Sequence, residues 1–188
     1  MRGNPKEIDH DLVVRAKQLK GIVIGGGEPV LNLSTKTLLS QLDHEQKVSI
    51  HFNGTVLPDQ DFLENCKRLQ NVKFVFSIDG VQERFEYLRW PAKWDRVVKN
   101  IVFLSQTAPT NVEFGVNITI SQLNKFYYTE VVEWAQRTIP KNSLGKETVI
   151  TFNTAHNRLS RDYLDALDKK RQLDWRKLFP LAVDQISN

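Results

Sequence analysis

The sequence predicts an α/β fold in which about five parallel strands alternate with helices and curl into an incomplete barrel. Three observations predict it. Five short β-like runs are separated by stretches of helical periodicity. Several of those runs alternate strictly between apolar and polar residues. The first run ends in a glycine-rich turn that carries a carboxylate and a proline, as a strand-end ligand loop would.

In chain order, a first helix over Asp11–Leu19 precedes the strand Gly21–Gly25 (GIVIG). Ser34 is a candidate N-cap for a helix whose Leu38, Leu39 and Leu42 share a face. The strand Val48–Asn53 (VSIHFN) follows, then a helix with Phe62, Leu63, Cys66 and Leu69 at helical spacing. Val72–Asp79 (VKFVFSID) is the third strand, and Val97, Val98, Ile101 and Val102 mark the next helix. Val112–Ile120 (VEFGVNITI) is the fourth strand. Asn124 is placed to cap a helix carrying Tyr127, Val131 and Trp134. Thr148–Asn153 (TVITFN) is the fifth strand, and Ser160 caps a helix with Tyr163, Leu164 and Leu167. Beyond Leu173, residues Trp175, Leu178, Phe179, Leu181 and Val183 suggest one more helical element, interrupted by Pro180. The expectation is one domain over residues 1–188, with 174–188 as a peripheral C-terminal segment.

The alternation says which way the strands face. A parallel strand buried on both sides reads as continuous Val, Ile and Leu. Here Val112, Phe114, Val116, Ile118 and Ile120 oppose Glu113, Gly115, Asn117 and Thr119. Val48, Ile50 and Phe52 oppose Ser49, His51 and Asn53. Helices cover the apolar face, so the other face is polar. Two architectures satisfy this: an incomplete barrel around a wet cavity, or a two-layer sheet with its polar face in solvent. Ser, His, Asn, Asp, Glu and Thr on one face of adjacent strands favour the ligand-filled cavity.

The chain has 188 residues, 40% hydrophobic and 26% charged, an ordinary globular composition. It holds no apolar run of membrane-spanning length, and its charged start does not read as a secretory signal. The single cysteine, Cys66, excludes an internal disulfide framework and any multi-cysteine metal site made by this chain alone. A cytoplasmic location is the expectation. The net charge is +4, and the late basic residues Lys169, Lys170, Arg171, Arg176 and Lys177 are interspersed with Asp165, Asp168 and Asp174. That mixture reads as a solvated helix face and not as a nucleic-acid interface.

The stretch GIVIGGGEPVLN, Gly21 to Asn32, carries the first chemistry. The dinucleotide fingerprint fails, because Val30 stands where its third glycine belongs. The P-loop fails, because no Gly-Lys-Ser/Thr follows. Pro29 removes a backbone donor, and Glu28 repels phosphate. A carboxylate beside exposed strand-end carbonyls suits a cation, and an ammonium group is its natural partner.

Gly26-Gly27-Glu28-Pro29 resembles the GGEP motif of radical S-adenosylmethionine enzymes. His51-Phe52-Asn53-Gly54-Thr55 is similar to that family's T-N-G-T turn, with Phe52 at the usual Thr position. Ser77-Ile78-Asp79-Gly80 resembles its S-[IL]-D-G. Tyr87-Leu88-Arg89-Trp90-Pro91, followed by Trp94, Val97 and Asn100, resembles the Y-x-R-x-P…W-x-x-V…N pattern of the subgroup with SPASM or twitch auxiliary domains. The resemblance covers roughly Asp11 to Asn153.

The resemblance implies a partial (β/α)6 TIM-like barrel with its site at the strand C-terminal ends. It implies S-adenosylmethionine as the small-molecule cofactor. Glu28 and the carbonyls near Gly26 and Gly27, beside Pro29, would hold the methionine ammonium. Ser77 and Arg89 would contact its carboxylate. Asp79 or Asn117 would reach the ribose. Asn53 would stabilise its turn or touch the ligand. The family also holds a 4Fe–4S cluster on C-x-x-x-C-x-x-C after its first strand. This chain has no such motif, and so no metal ligands are assigned. The expectation is an N-terminally truncated or split chain, lacking that strand, the cysteine loop and the C-terminal cysteine-rich extension. A complementary chain would then bring the cluster loop, and alone this chain would be inactive. The reaction implied for the complete assembly is reductive cleavage of S-adenosylmethionine and hydrogen abstraction from a substrate, with a peptide as the class the subgroup hints at. The alternative is a non-catalytic degenerate barrel that binds a partner; a flavodoxin-like nucleotide domain ranks below both.

Plainer readings stand beside these. Asp79-Gly80 is also a common turn pair. Trp90 and Trp94 read as packing residues and Cys66 as core, while His51 reads equally as a satisfied interior histidine or as a catalyst. His156 has no visible partner in the sequence.

Overall fold

Five parallel strands pair in sequence order: β1 (Gly21–Ile24), β2 (Lys47–Phe52), β3 (Asn71–Ser77), β4 (Val112–Ile120) and β5 (Val149–Thr154). They form a curled half-barrel with helices between them. The computed structural model describes residues 10–139, 141, 148–155 and 159–186. The helices are α1 (His10–Lys17), α2 (Leu33–Gln41), α3 (Gln60–Lys67), α4 (Gln82–Leu88), α5 (Trp94–Thr107), α6 (Tyr128–Thr138), α7 (Arg161–Arg171) and the short α8 (Trp175–Leu178).

Strand alternation sets the core. Ile50, Phe52, Phe74, Phe76, Val116 and Ile118 point to the helix side and are buried. They meet Leu39, Phe62, Val97, Ile101 and Val131 from the helices. The aromatics interlock: Phe76 stacks on Phe114 at 6.1 Å between centroids, and Phe52 meets Phe76 edge-on at 4.9 Å. Cys66 sits in this core, where burial pushes its thiol up to about 12. That makes it an inert packing residue.

The capping residues differ in part from expectation. Ser160 caps α7, its hydroxyl accepting from the Tyr163 N–H. The cap of α2 is Asn32 and not Ser34: its Oδ1 accepts from the Ser34 N–H at 2.9 Å. Both positions offer a short polar side chain, and the 3-10 turn Pro29–Leu31 decides between them by ending at Asn32. Asn124 caps nothing, and α6 starts without a side-chain cap. The Asn124 amide turns inward instead, as described below.

The 174–188 stretch, expected at the periphery, buries Trp175, Phe179, Ala182 and Ile186 with Tyr87, Leu123 and Leu164 in a second core cluster. Arg84 fastens it, donating through Nε to the Leu178 carbonyl at 2.6 Å and through Nη1 to both Glu130 oxygens. The helical pattern of that stretch was legible; its partner face lies on the neighbouring α7 and on α4, which is far away in sequence.

Candidate functional site

The open face of the sheet is built in rungs. Strand register places His51, Val75, Gly115 and Val149 on one rung. Ser77, Asn117 and Thr151 form the next rung towards the strand C-terminal ends. Val75 is only 4% exposed although it lies on the nominally polar face. On this rung His51 is the titratable group; Lys73 and Glu113 face each other one rung below, and the Lys73 side chain reaches towards Gly115. Burial lowers the His51 imidazole from its ordinary value. One rung above His51, Asn117 Oδ1 accepts from the Thr151 hydroxyl at 3.0 Å.

Glu28 follows β1 at the mouth. It is half-buried, and its Oε2 accepts from the Asn53 N–H at 3.4 Å. Its Oε1 is buried without a hydrogen-bond partner. Burial pushes the carboxyl above its ordinary range, partly offset by hydrogen bonds from Asn53. Gly26 and Gly27 hold left-handed backbone, with φ of 89° and 59°, and the space a Cβ would occupy at either is open. Pro29 starts the 3-10 turn and is buried. That carboxylate oxygen, beside an open glycine turn, is free to accept a hydrogen bond from an approaching donor.

Asn53 braces its own turn. Its Oδ1 accepts from the Thr55 N–H at 2.9 Å and the Thr55 hydroxyl at 2.6 Å. The Gly54 carbonyl accepts from Asn100 Nδ2 at 2.9 Å, and a Cβ at Gly54 would meet Val97 Cγ1 at 3.3 Å. This explains why Gly54, Val97 and Asn100 occur together: the turn after β2 is clamped onto α5. The sequence showed Asn100 as a motif residue without revealing that role.

Asp79 is committed within the fold. Its Oδ1 accepts from the Thr119 N–H at 2.7 Å, and its Oδ2 lies 2.6 Å from Arg89 Nε. Asn124 Nδ2 donates to the Asp79 carbonyl at 2.8 Å and to the Thr119 carbonyl at 3.0 Å. The Asp79-Gly80 turn is thus locked from two sides. Arg89 and Asn53 line one cavity of about 500 Å³, together with Thr55, Trp90 and Arg96. Trp94 packs between Phe85 and Trp134, as a packing residue should. Trp90 differs from that expectation: it is 42% exposed, with Lys170 Nζ 4.7 Å from its ring centroid. His156 lies outside the described residues.

The structure therefore brings Glu28 to Asn53, Arg89 to Asp79, and Ser77 to Asn117, all at strand C-terminal ends. Among the described residues no group of three or more His, Cys, Asp or Glu gathers as a metal site. No helix among them is long and apolar enough to cross a membrane.

Solved structures share this architecture. Streptococcus suis SuiB, solved with S-adenosylmethionine bound, matches 89% of this chain at 14% identity and a TM-score of 0.59. The match covers 40% of SuiB, so the chain spans about two fifths of that protein. SuiB has also been solved bound to the precursor peptide SuiA. anSMEcpe, solved with AdoMet and the Cp18Cys peptide, matches 83% of this chain at 13% identity, covering 47% of its own length with a TM-score of 0.56. A domain of pyruvate-formate lyase-activating enzyme from Bacteroides vulgatus matches 83% of this chain at 12% identity, covering 97% of that domain with a TM-score of 0.51. The likeness establishes the fold. No protein-family model matches the chain, and no curated protein sequence matches it significantly.

Proposed function

We propose that this half-barrel is the S-adenosylmethionine-binding part of a radical S-adenosylmethionine enzyme. The observation that carries the reading is Glu28, whose buried Oε1 has no donor while Gly26 and Gly27 leave the approach open. An α-ammonium group fits there, held by Glu28 and the Gly26 and Gly27 carbonyls, with Pro29 fixing the turn. Arg89, already anchored by Asp79, and the Ser77 hydroxyl take the carboxylate. Asn117 takes the ribose, because both Asp79 oxygens are engaged within the fold. Asn53 acts by holding Glu28 and its own turn. The order of the four motifs along the chain and the S-adenosylmethionine-bound SuiB and anSMEcpe structures support the reading.

The 4Fe–4S cluster does not fit the residues of this chain. Its one cysteine is buried core, and no ligand group gathers among the described residues. In the full assembly the cluster ligands come from another segment or a complementary chain. Reductive cleavage of S-adenosylmethionine and hydrogen abstraction from a peptide substrate belong to that assembly, which we place in the cytoplasm. This chain contributes binding, orientation and a shaped cavity.

Calorimetric titration of the 188-residue chain with S-adenosylmethionine tests the binding half. Binding that weakens about tenfold or more in Glu28→Ala supports it. No binding to the wild-type chain would favour the partner-binding barrel instead.

A further inference from the structure

The cavity beside the strand ends is more cationic than a cofactor carboxylate requires. It has a volume of about 500 Å³, and its charged lining residues are Arg89, Lys93 and Arg96. Two of these are neutralised: Arg89 by Asp79, and Lys93 by Glu86 at 2.8 Å. Arg96 is exposed, and among the described residues neither it nor Lys170, which lies over the Trp90 ring, pairs with a carboxylate. The lining of the same cavity also includes the apolar Leu88, Trp90 and Pro91. Asn53 joins this cavity directly to the Glu28 turn.

We infer that this cavity takes the side chains of an acidic peptide segment, a carboxylate on Arg96 and an apolar neighbour on Trp90. The inference rests on the proposed cofactor site, because it supplies the substrate class that would approach the same strand ends. Two features favour a peptide over a nucleic acid. The cations are few and stand around one cavity, where a phosphate backbone would want a basic stripe. The apolar lining is aliphatic as well as aromatic, which suits an amino-acid side chain. The planar Arg96 guanidinium matches a carboxylate with two parallel hydrogen bonds.

The test uses the full chain and three fluorescein-labelled peptides of equal length, alternating Leu with Glu, Gln or Lys, read by anisotropy at about 0.1 M salt. The acidic peptide is expected to bind about tenfold tighter than the neutral one. Arg96→Glu, at an exposed position without an ion-pair partner among the described residues, should fold normally and turn the preference towards the basic peptide. A Trp90→Ala variant should weaken the acidic and neutral peptides alike. Equal binding of acidic and neutral peptides, or an unchanged preference in Arg96→Glu, overturns the inference. A single-stranded oligonucleotide that displaces the acidic peptide at equal concentration overturns the choice of a peptide. Calorimetry with S-adenosylmethionine on the same proteins separates the two readings. A wild-type chain that prefers the acidic peptide but binds no S-adenosylmethionine leaves this cavity standing and removes the cofactor site.

Discussion

Arg89 Nε lies 2.6 Å from Asp79 Oδ2, while the other oxygen of that carboxylate accepts the Thr119 N–H at 2.7 Å. One buried carboxylate thereby joins the end of β3, the edge of β4 and the end of α4. The side chain of Arg89 is 28% exposed and that of Asp79 12%, so water screens the pair only in part. Asp79→Ala removes the ion pair and leaves the Thr119 N–H without its acceptor. The expected loss is about 2–3 kcal/mol in chemical denaturation. A loss below about 0.5 kcal/mol would mean that the pair adds nothing to the mouth of the barrel.

Glu28 should make stability depend on pH in a set direction. Burial raises its folded-state pKa, so the folded chain holds that proton more tightly than the unfolded chain. Stability from this group is therefore greatest below the ordinary carboxylate range and falls as pH rises through the raised value. Glu28→Gln removes the charge and keeps the shape. It is expected to unfold at a higher temperature than wild type at pH 7, with the difference vanishing in acid. A lower melting temperature for Glu28→Gln at pH 7 contradicts the assignment of a strained, uncompensated carboxylate.

The second core should make the C-terminal stretch indispensable. Trp175 is fully buried, and its Nε1 donates to Asp165 at 2.9 Å. Trp175→Ala is expected to cost about 3–5 kcal/mol. Phe179, edge-on to both Tyr87 and Tyr127, should show a similar loss on truncation. Losses below about 1 kcal/mol in both would show that the stretch does not pack on α4 and α7 in solution.

The turn after β2 offers a further check. Gly54 has φ of 72°, and an added Cβ would press on Val97. Gly54→Ala is therefore expected to destabilise the chain by about 1–2 kcal/mol. Asn100→Ala should cost about 1 kcal/mol through the lost bond to the Gly54 carbonyl. Circular-dichroism melts of both variants measure this. Two unchanged melts would remove the clamp between the turn and α5.

What the sequence made legible is what depends on local pattern. The expected strand bounds differ from the observed ones by at most two residues, because alternation and β-branched content are properties of the segment itself. The placing of Asn53, Ser77 and Asp79 at strand ends followed from those bounds, while the roles given to them came from the resemblance. What was not legible is the choice a polar side chain makes among distant partners. Asn124 has the composition of a cap, yet it spends its amide on nearby Thr119 and on Asp79, which only the paired β3 and β4 bring within reach. Asp79 reads as a turn or ligand residue until Arg89 is folded against it. The alternation also left the barrel and the flat sheet open. Curvature separates them, and it belongs to the sheet as a whole.

The central claim is that Glu28 holds an ammonium group. It is tested most directly by comparing S-adenosylmethionine with an analogue lacking the α-amino group, titrated into wild-type and Glu28→Gln chains. Wild type is expected to prefer the amine by about tenfold or more, and Glu28→Gln to lose the preference. Equal affinity of wild type for both compounds, or an undiminished preference in Glu28→Gln, would contradict it.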